Sequence, residues 1–348
     1  MRVAVVAYEG CLASGVSGFA DALAVANLVA GREVFAIRVL GPEAGTGLGA
    51  GTGLNAIKGF RGTPVVLDAA MTAANAGDWD VVYVPPAFGV TGRQPRLAAW
   101  VGQAHAAGAV ACAACAGVFV LAEAGILAGR MATTHWALAR EFVATYPNVR
   151  LDAGRMLIDG GDYCCAGGVT AYFDLALRLT ARFVSPETAA RCARTLLLDP
   201  GRSSQTPYAS LLAVVPHGDA AIEAAQKWLE DNLHGAVSVR ALAAAVHLSE
   251  RTLLRRFRKA VGRTPKDYLL ALRLELAKGL LATTGLTAAE IAARAGYADA
   301  TAFYRLFREM VGVTPGEYRR RFRCCAPGAP QANRATPPLA PVPGDAEG

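Results

Sequence analysis

Residues 249–268 read SERTLLRRFRKAVGRTPKDY, and residues 299–318 read DATAFYRLFREMVGVTPGEY. Aligned at an offset of fifty, they share Arg255/Arg305, Phe257/Phe307, Arg258/Arg308, Val261/Val311, Gly262/Gly312, Thr264/Thr314, Pro265/Pro315 and Tyr268/Tyr318. Leu253 answers Phe303, and Ser249 answers Asp299, one helix cap for another. Two copies of a short, arginine-rich unit suit a protein that touches a repeating partner at two points. A DNA groove is such a partner.

Each copy reads as helix, tight turn, helix, over 238–261 and 287–311. In the first, Val239–Val246 is helical, His247-Leu248 turns, and Ser249 caps Glu250–Val261. In the second, Thr287 and Glu290 form a capping box, Gly296 turns and Asp299 caps the next helix. Leu253 and Phe257 share one helical face, as do Phe303 and Phe307, and these faces turn inward. Arg251, Leu254, Arg255 and Arg258 fall outward, as do Thr301, Tyr304, Arg305 and Arg308. Leu269, Leu272, Leu276 and Leu280 recur at helical spacing, so Lys266–Thr283 reads as one linking helix.

Charge follows the repeat. Residues 1–217 carry 16 Lys+Arg against 15 Asp+Glu, whereas residues 218–323 carry 18 against 11. The basic excess therefore lies where attraction to phosphate requires it. The apolar share of 53% is ample for buried cores. No uninterrupted apolar run of about 18 residues predicts a membrane span, and no secretory cleavage pattern follows the first strand, so a cytoplasmic protein is expected. Eight cysteines (11, 112, 115, 164, 165, 192, 324, 325) without a secretory signal argue for reduced thiols. Cys112-x-x-Cys115 stands alone, and no metal site or cofactor is expected.

Residues 1–185 alternate short β-branched runs with alanine-rich stretches. Strands are expected at Val3–Ala7, Phe35–Leu40, Val81–Val84, Ala109–Cys112 and Val149–Leu151. Helices are expected at Gly18–Val29, Arg96–Ala107, Gly117–Glu123, Trp136–Thr145 and Val169–Phe183. That alternation predicts an α/β domain, a parallel sheet flanked by helices. The Gly-rich 41–53 stretch reads as a surface loop, 186–218 as a helix and linker, 219–323 as an all-α domain, and 324–348 as a disordered tail.

The paired units, with GYADATAFYRLFREMVGVTPGEYRRRF in the second, resemble the AraC/XylS-type DNA-binding domain over about residues 222–323. The resemblance implies two helix-turn-helix motifs whose second helices enter successive major grooves of double-stranded DNA. Position by position, it implies base-facing Arg251, Leu254 and Arg255 in the first and Ala300, Thr301, Tyr304 and Arg305 in the second. Arginine can grip guanine O6 and N7 with two hydrogen bonds, while Leu254 and Ala300 offer only apolar contact. The first helix is expected to be the stronger reader.

In the front half, an expected strand runs into Cys115 and a helix follows at once, the shape of a nucleophile elbow. The helix dipole is expected to lower the thiol's pKa. With LAEAGILAGRMATTHW (Leu121–Trp136) and CCAGGVTAYFDLALRL (Cys164–Leu179), residues 1–185 resemble the PfpI-like branch of the class I glutamine amidotransferase superfamily, a flavodoxin-like α/β fold. More closely, they resemble the sensor half of regulators that join such a domain to an AraC-type reader.

The catalytic pattern is incomplete. Ala116 stands where hydrolytic members place His. No acid occupies Ala13-Ser14-Gly15-Val16. Pro85-Pro86-Ala87 replaces a Pro-Gly-Gly oxyanion loop, leaving only the amides of Ala87 and Ala116 to donate. Without a base, a thiol forgoes a factor of about 10²–10⁴. His135 is a substitute base or a pocket-lining residue.

The expected function is a DNA-binding transcription regulator whose non-catalytic front domain binds a small-molecule effector near Cys115, Ala87 and His135. The resemblance further implies a homodimer and a contact with RNA polymerase in activating transcription. The alternatives are an active Cys115-dependent hydrolase or hydratase tethered to DNA, and a redox sensor using Cys112 and Cys115.

Overall fold

The computed structural model describes residues 1–42, 55–88, 93–212, 217–235 and 237–323. Most of the Gly-rich loop and the whole 324–348 tail lie outside these residues. The chain divides into two compact units, one ending at Ala213 and one beginning at Val214.

The front unit opens with β1 (Arg2–Val6), α1 (Ala13–Ala30) and β2 (Ala36–Gly41). A hairpin of β3 (Ala56–Lys58) and β4 (Pro64–Val66), then β5 (Ala69–Ala70) and β6 (Val81–Val84), lead to α2 (Pro95–Ala106). β7 (Val110–Ala114), α3 (Val118–Glu123), β8 (Met131–Ala132), α4 (Ala139–Thr145) and β9 (Arg150–Leu151) follow. β10 (Leu157–Asp159), β11 (Tyr163–Ala166), α5 (Tyr172–Phe183) and α6 (Pro186–Thr195) complete the unit.

Its seven-stranded sheet has the order β10-β11-β7-β6-β1-β2-β5, and every pairing is parallel except β10 with β11. β6, β7 and β11 are buried along their full length, as a sheet covered on both faces requires. α1, α5 and α6 pack together, and α2 packs on α3. α1 is long and apolar enough by composition to cross a membrane. Instead it buries Val16, Phe19, Leu23 and Ala26 in this unit's core, with Phe19 stacked on Tyr83 at 3.9 Å between ring centroids.

Two expectations need correction. Val149–Leu151 is not a strand of the main sheet: β9 pairs with the equally short β8 in a separate two-stranded sheet. The stretch 201–217 is not a loose linker over 201–212. It returns to the front unit as a strap, with Met156 N–H donating to Ser203 O at 3.0 Å and Gln205 N–H to Gly154 O at 2.7 Å.

The helical unit contains α7 (Ala220–Asp231), α8 (Val239–Ala245), α9 (Glu250–Val261), α10 (Pro265–Thr283), α11 (Ala288–Arg294), α12 (Ala300–Val311) and α13 (Pro315–Phe322). The repeated Gly-x-Thr-Pro-x-x-Tyr now has a physical reading. Gly262 ends α9 at φ 81° and Gly312 ends α12 at φ 81°, a conformation that favours glycine. Thr264 and Thr314 cap the following helices, and Pro265 and Pro315 take the first helical position, where no N–H is needed. Tyr268 and Tyr318 turn back edge-on to Phe257 and Phe307 at 5.6 and 5.7 Å.

The offset of fifty fails in the first helices. Ser238 and Thr287 cap α8 and α11, one residue short of fifty, so the second turn is a residue longer. Gly296 serves that turn at φ 79°, where a Cβ would come within 2.8 Å of Leu233 O. The first turn places His247 at φ 53°. Left-handed backbone costs a non-glycine residue about 1–2 kcal/mol. His247→Gly should therefore stabilise the helical unit by up to about 1 kcal/mol after glycine's extra chain entropy, raising its unfolding midpoint. Urea titration checks this, and a lowered midpoint would show that the imidazole compensates.

Candidate nucleic-acid interface and front-unit pocket

Ser249 Oγ accepts the Thr252 amide at 3.2 Å, and the Asp299 carboxylate accepts the amides of Thr301 and Ala302 at 2.9 and 3.0 Å. These caps fix where α9 and α12 begin and so which side chains face out. Leu253, Phe257, Phe303 and Phe307 are fully buried. Arg251, Leu254, Arg255, Thr301, Tyr304 and Arg305 are exposed, and Ala300 is half-buried. Leu254 and Tyr304 keep 40% and 45% of their surface open.

The basic residues separate into two groups. Arg256 is structural: its guanidinium takes both oxygens of Asp219, the cap of α7, at 2.9 and 2.5 Å. That hydrogen bonding holds the Asp219 carboxyl below its ordinary value. Arg273 donates to the carbonyls of Leu233 and Gly235, and Arg319 to that of Leu286. Arg251, Arg255 and Arg258 form no ion pair among the described residues and stand on the exposed side of α9. Sequence periodicity placed Arg256 with neither group, because its partner lies 37 residues away.

In the front unit, Cys115 follows β7 at φ 54°, on a 3-10 turn running to Gly117. A Cβ on Gly117 would come within 2.6 Å of Val84 O, so glycine alone lets α3 start this close to β6. Thr134 Oγ1 donates to the Cys115 carbonyl at 2.7 Å. The strained elbow is present, but burial works against ionisation of its thiol. Cys115 is only 2% exposed, and burial pushes it up from the ordinary 9.0 to about 11. The opposing influence is a hydrogen bond from the Ala116 amide, so one of the two remaining oxyanion donors serves the thiol itself. The expected lowering by a helix dipole is overturned, because α3 has six residues and desolvation outweighs it.

The surroundings are closed. Ala87 is buried and bridges to Cys11, whose thiol burial also raises to about 11. A side chain at Gly15 would meet the Pro86 ring at 2.5 Å, so no acid fits there without displacing it. At pH 8 a thiol of pKa near 11 is ionised to about one part in a thousand. Alkylation of Cys115 by iodoacetamide should thus be far slower than that of a free thiol and should climb steeply up to about pH 11. The sign of the linked stability follows. Folding holds these protons on Cys11 and Cys115, so the stabilisation is full below about pH 9 and lost as pH rises toward 11.

One open space lies beside His135. A cavity of about 160 Å³ is lined by His135, Trp136, Met156, Thr170, Arg202 and Tyr208, among others, but not by Cys115 or Ala87. His135 Nδ1 accepts the Ala137 amide at 3.2 Å, and burial lowers its pKa, so the imidazole is neutral with its proton on Nε2. The strap forms one side of this cavity. Gln205, 1% exposed, lies with its side-chain amide nitrogen 2.8–3.2 Å from Thr134 O, Arg155 O, Ala153 O and Thr133 Oγ1. A Cβ on Gly167 would fall 1.9 Å from that nitrogen. Arg202 reaches Asp174 and Thr170 Oγ1. None of these strap contacts was visible in the sequence, where Arg202 and Gln205 sit in an ordinary polar turn composition.

The DJ-1/PfpI family profile matches residues 1–182, and a helix-turn-helix domain profile matches residues 242–321. The HTH-type transcriptional regulator CdhR of Pseudomonas aeruginosa is 30% identical over 286 residues, covering 81% of this chain and 82% of its own length. The HTH-type transcriptional regulator GlxA of Rhizobium meliloti is 28% identical, covering 86% of this chain and 90% of its own. A solved AraC family transcriptional regulator from Pseudomonas putida superimposes with a TM-score of 0.49 and 18% identity, covering 56% of this chain and 98% of that one. The chain belongs to the AraC-type helix-turn-helix transcriptional regulators that carry a DJ-1/PfpI domain in front.

Proposed function

We propose that this regulator reads DNA with α9 and α12 in adjacent major grooves, and that its front unit senses a small-molecule effector without catalysing a reaction. The observation that carries the reading is the matched pair of capped helices, each burying two large side chains and exposing arginine opposite them. Arg251, Leu254 and Arg255 are the base-facing residues of the first reader; Ala300, Thr301, Tyr304 and Arg305 are those of the second. Residues 1–185 form the sensor, 186–218 the connection and 219–323 the reader. The full protein is a homodimer that meets RNA polymerase at its promoters, a part of the proposal that rests on the family resemblance.

The buried, protonated Cys115 thiol supports a non-catalytic front unit over the tethered hydrolase. Steady-state assays with amides, isonitriles and peptides test this. No turnover above background is expected, and turnover abolished by Cys115→Ala would establish the enzyme instead. The redox alternative is disfavoured by the setting of Cys112, fully buried and beside Cys164 across the strand pair. The sensor itself is tested by a metabolite panel that raises the melting temperature of the full chain and shifts its operator affinity.

A further inference from the structure

The cavity beside His135 has two kinds of wall. His135, Trp136, Met156 and Thr170 belong to the front unit's body, while Arg202, Gln205 and Tyr208 belong to the strap, the last described segment before the helical unit. A ligand there would touch both. We infer that this cavity binds a small carboxylate, gripped by Arg202 with Thr170 and His135, and that its occupancy fixes the strap that leads into the DNA-binding unit. The inference rests on the sensor reading and names its ligand class and its route.

The wall is mostly apolar, and donors are prominent among its few polar groups. A guanidinium has five N–H donors, and Arg202 uses one on Asp174 and one on Thr170 among the described residues. The neutral His135 ring offers Nε2–H because Nδ1 is already an acceptor for Ala137. Trp136 adds an indole N–H. Among the described residues no Asp or Glu lines the cavity; Asp174 lines the neighbouring one, of about 360 Å³, and Arg202 lines both. With Arg202 already paired to Asp174, what the wall offers is spare N–H donors, which select an acceptor; a carboxylate, taking charge-assisted hydrogen bonds, is the strongest of these. The volume resembles that of a roughly 150 Å³ cavity that holds benzene, so the ligand is small. A larger cleft of about 620 Å³ in the helical unit is not lined by the strap; its cations come with Asp267, and Arg273 already serves two backbone carbonyls.

Butyrate and butyramide, equal in size and different in charge, are the probes. In calorimetric titration of the full chain, butyrate should bind at least about tenfold more tightly than butyramide. Arg202→Gln should remove that preference, Arg202→Lys should restore most of it, and Arg178→Gln, beside the neighbouring cavity, should leave it intact. Butyrate should also slow chymotryptic cleavage after Tyr208. If Arg202→Gln does not fold, His135→Leu replaces it and must weaken butyrate binding. Equal affinities for the two probes, or a preference that survives in folded Arg202→Gln, overturn the inference. Operator affinity measured across the metabolite panel separates the two levels. An effector that is not a carboxylate would sink this assignment and keep the sensor, whereas a panel without effect on operator binding would remove the sensor reading.

Discussion

Arg255→Ala weakens binding of the full chain to an operator selected from random sequence by about fivefold to 150-fold, the equivalent of about 1–3 kcal/mol, and relaxes preference at one base pair. The expectation follows from the geometry of α9. Ser249 fixes the start of the helix, Leu253 and Phe257 fix its rotation, and Arg255 is left exposed without an ion pair among the described residues. An arginine so placed can take guanine O6 and N7 together. Arg256→Ala acts differently although it is adjacent. It leaves the Asp219 carboxylate unpaired at the cap of α7 and lowers stability, with sequence preference retained in the fraction that folds. Binding titrations over single-base operator variants distinguish them. A loss from Arg255→Ala that is uniform across variants would make Arg255 a phosphate clamp and shift the register of the reader.

Gly167→Ala releases the strap. The new methyl would lie 1.9 Å from the Gln205 amide nitrogen and 2.3 Å from its carbon, in a place where Gln205 is fully enclosed. Overpacking of this kind costs about 1–3 kcal/mol. Expelling Gln205 also deprives the Thr134, Ala153 and Arg155 carbonyls of its donor and the Trp136 amide of its acceptor. The expected result is faster tryptic cleavage after Arg202, by tenfold or more on the conversion of about 1.4 kcal/mol per decade, and a lowered melting temperature of the front unit. Gln205→Ala should speed cleavage as well, without the steric strain. Unchanged cleavage in both variants would mean that other contacts hold the strap.

How much of this was legible in sequence depended on whether the deciding interactions are local. The helix-turn-helix units announce themselves because caps, turn glycines and the inward pairs Leu253/Phe257 and Phe303/Phe307 all act within one or two helical turns. The unequal turns were harder to read, since His247 adopts a backbone conformation that its side chain does not advertise. β11 was missed because Tyr-Cys-Cys-Ala has one strong strand former, and its burial between β7 and β10 comes from tertiary packing. The elbow at Cys115 was readable as strand, turn and helix. Its pKa was not, because that depends on what surrounds the thiol in the fold, and Tyr8, one of its neighbours, comes from a distant position. The strap was misread for the same reason: a polar segment rich in Ser, Thr, Gly and Pro looks alike whether pinned or free.

The central claim is that each chain reads two adjacent major grooves through α9 and α12. Hydroxyl-radical footprinting of the full chain on its selected operator, with guanine-N7 methylation interference, tests it most directly. The account predicts two protected segments per chain centred about 10–10.5 base pairs apart, with interference in the first abolished by Arg255→Ala and in the second by Arg305→Ala. A single protected segment per chain, or two that respond to neither substitution, would contradict it.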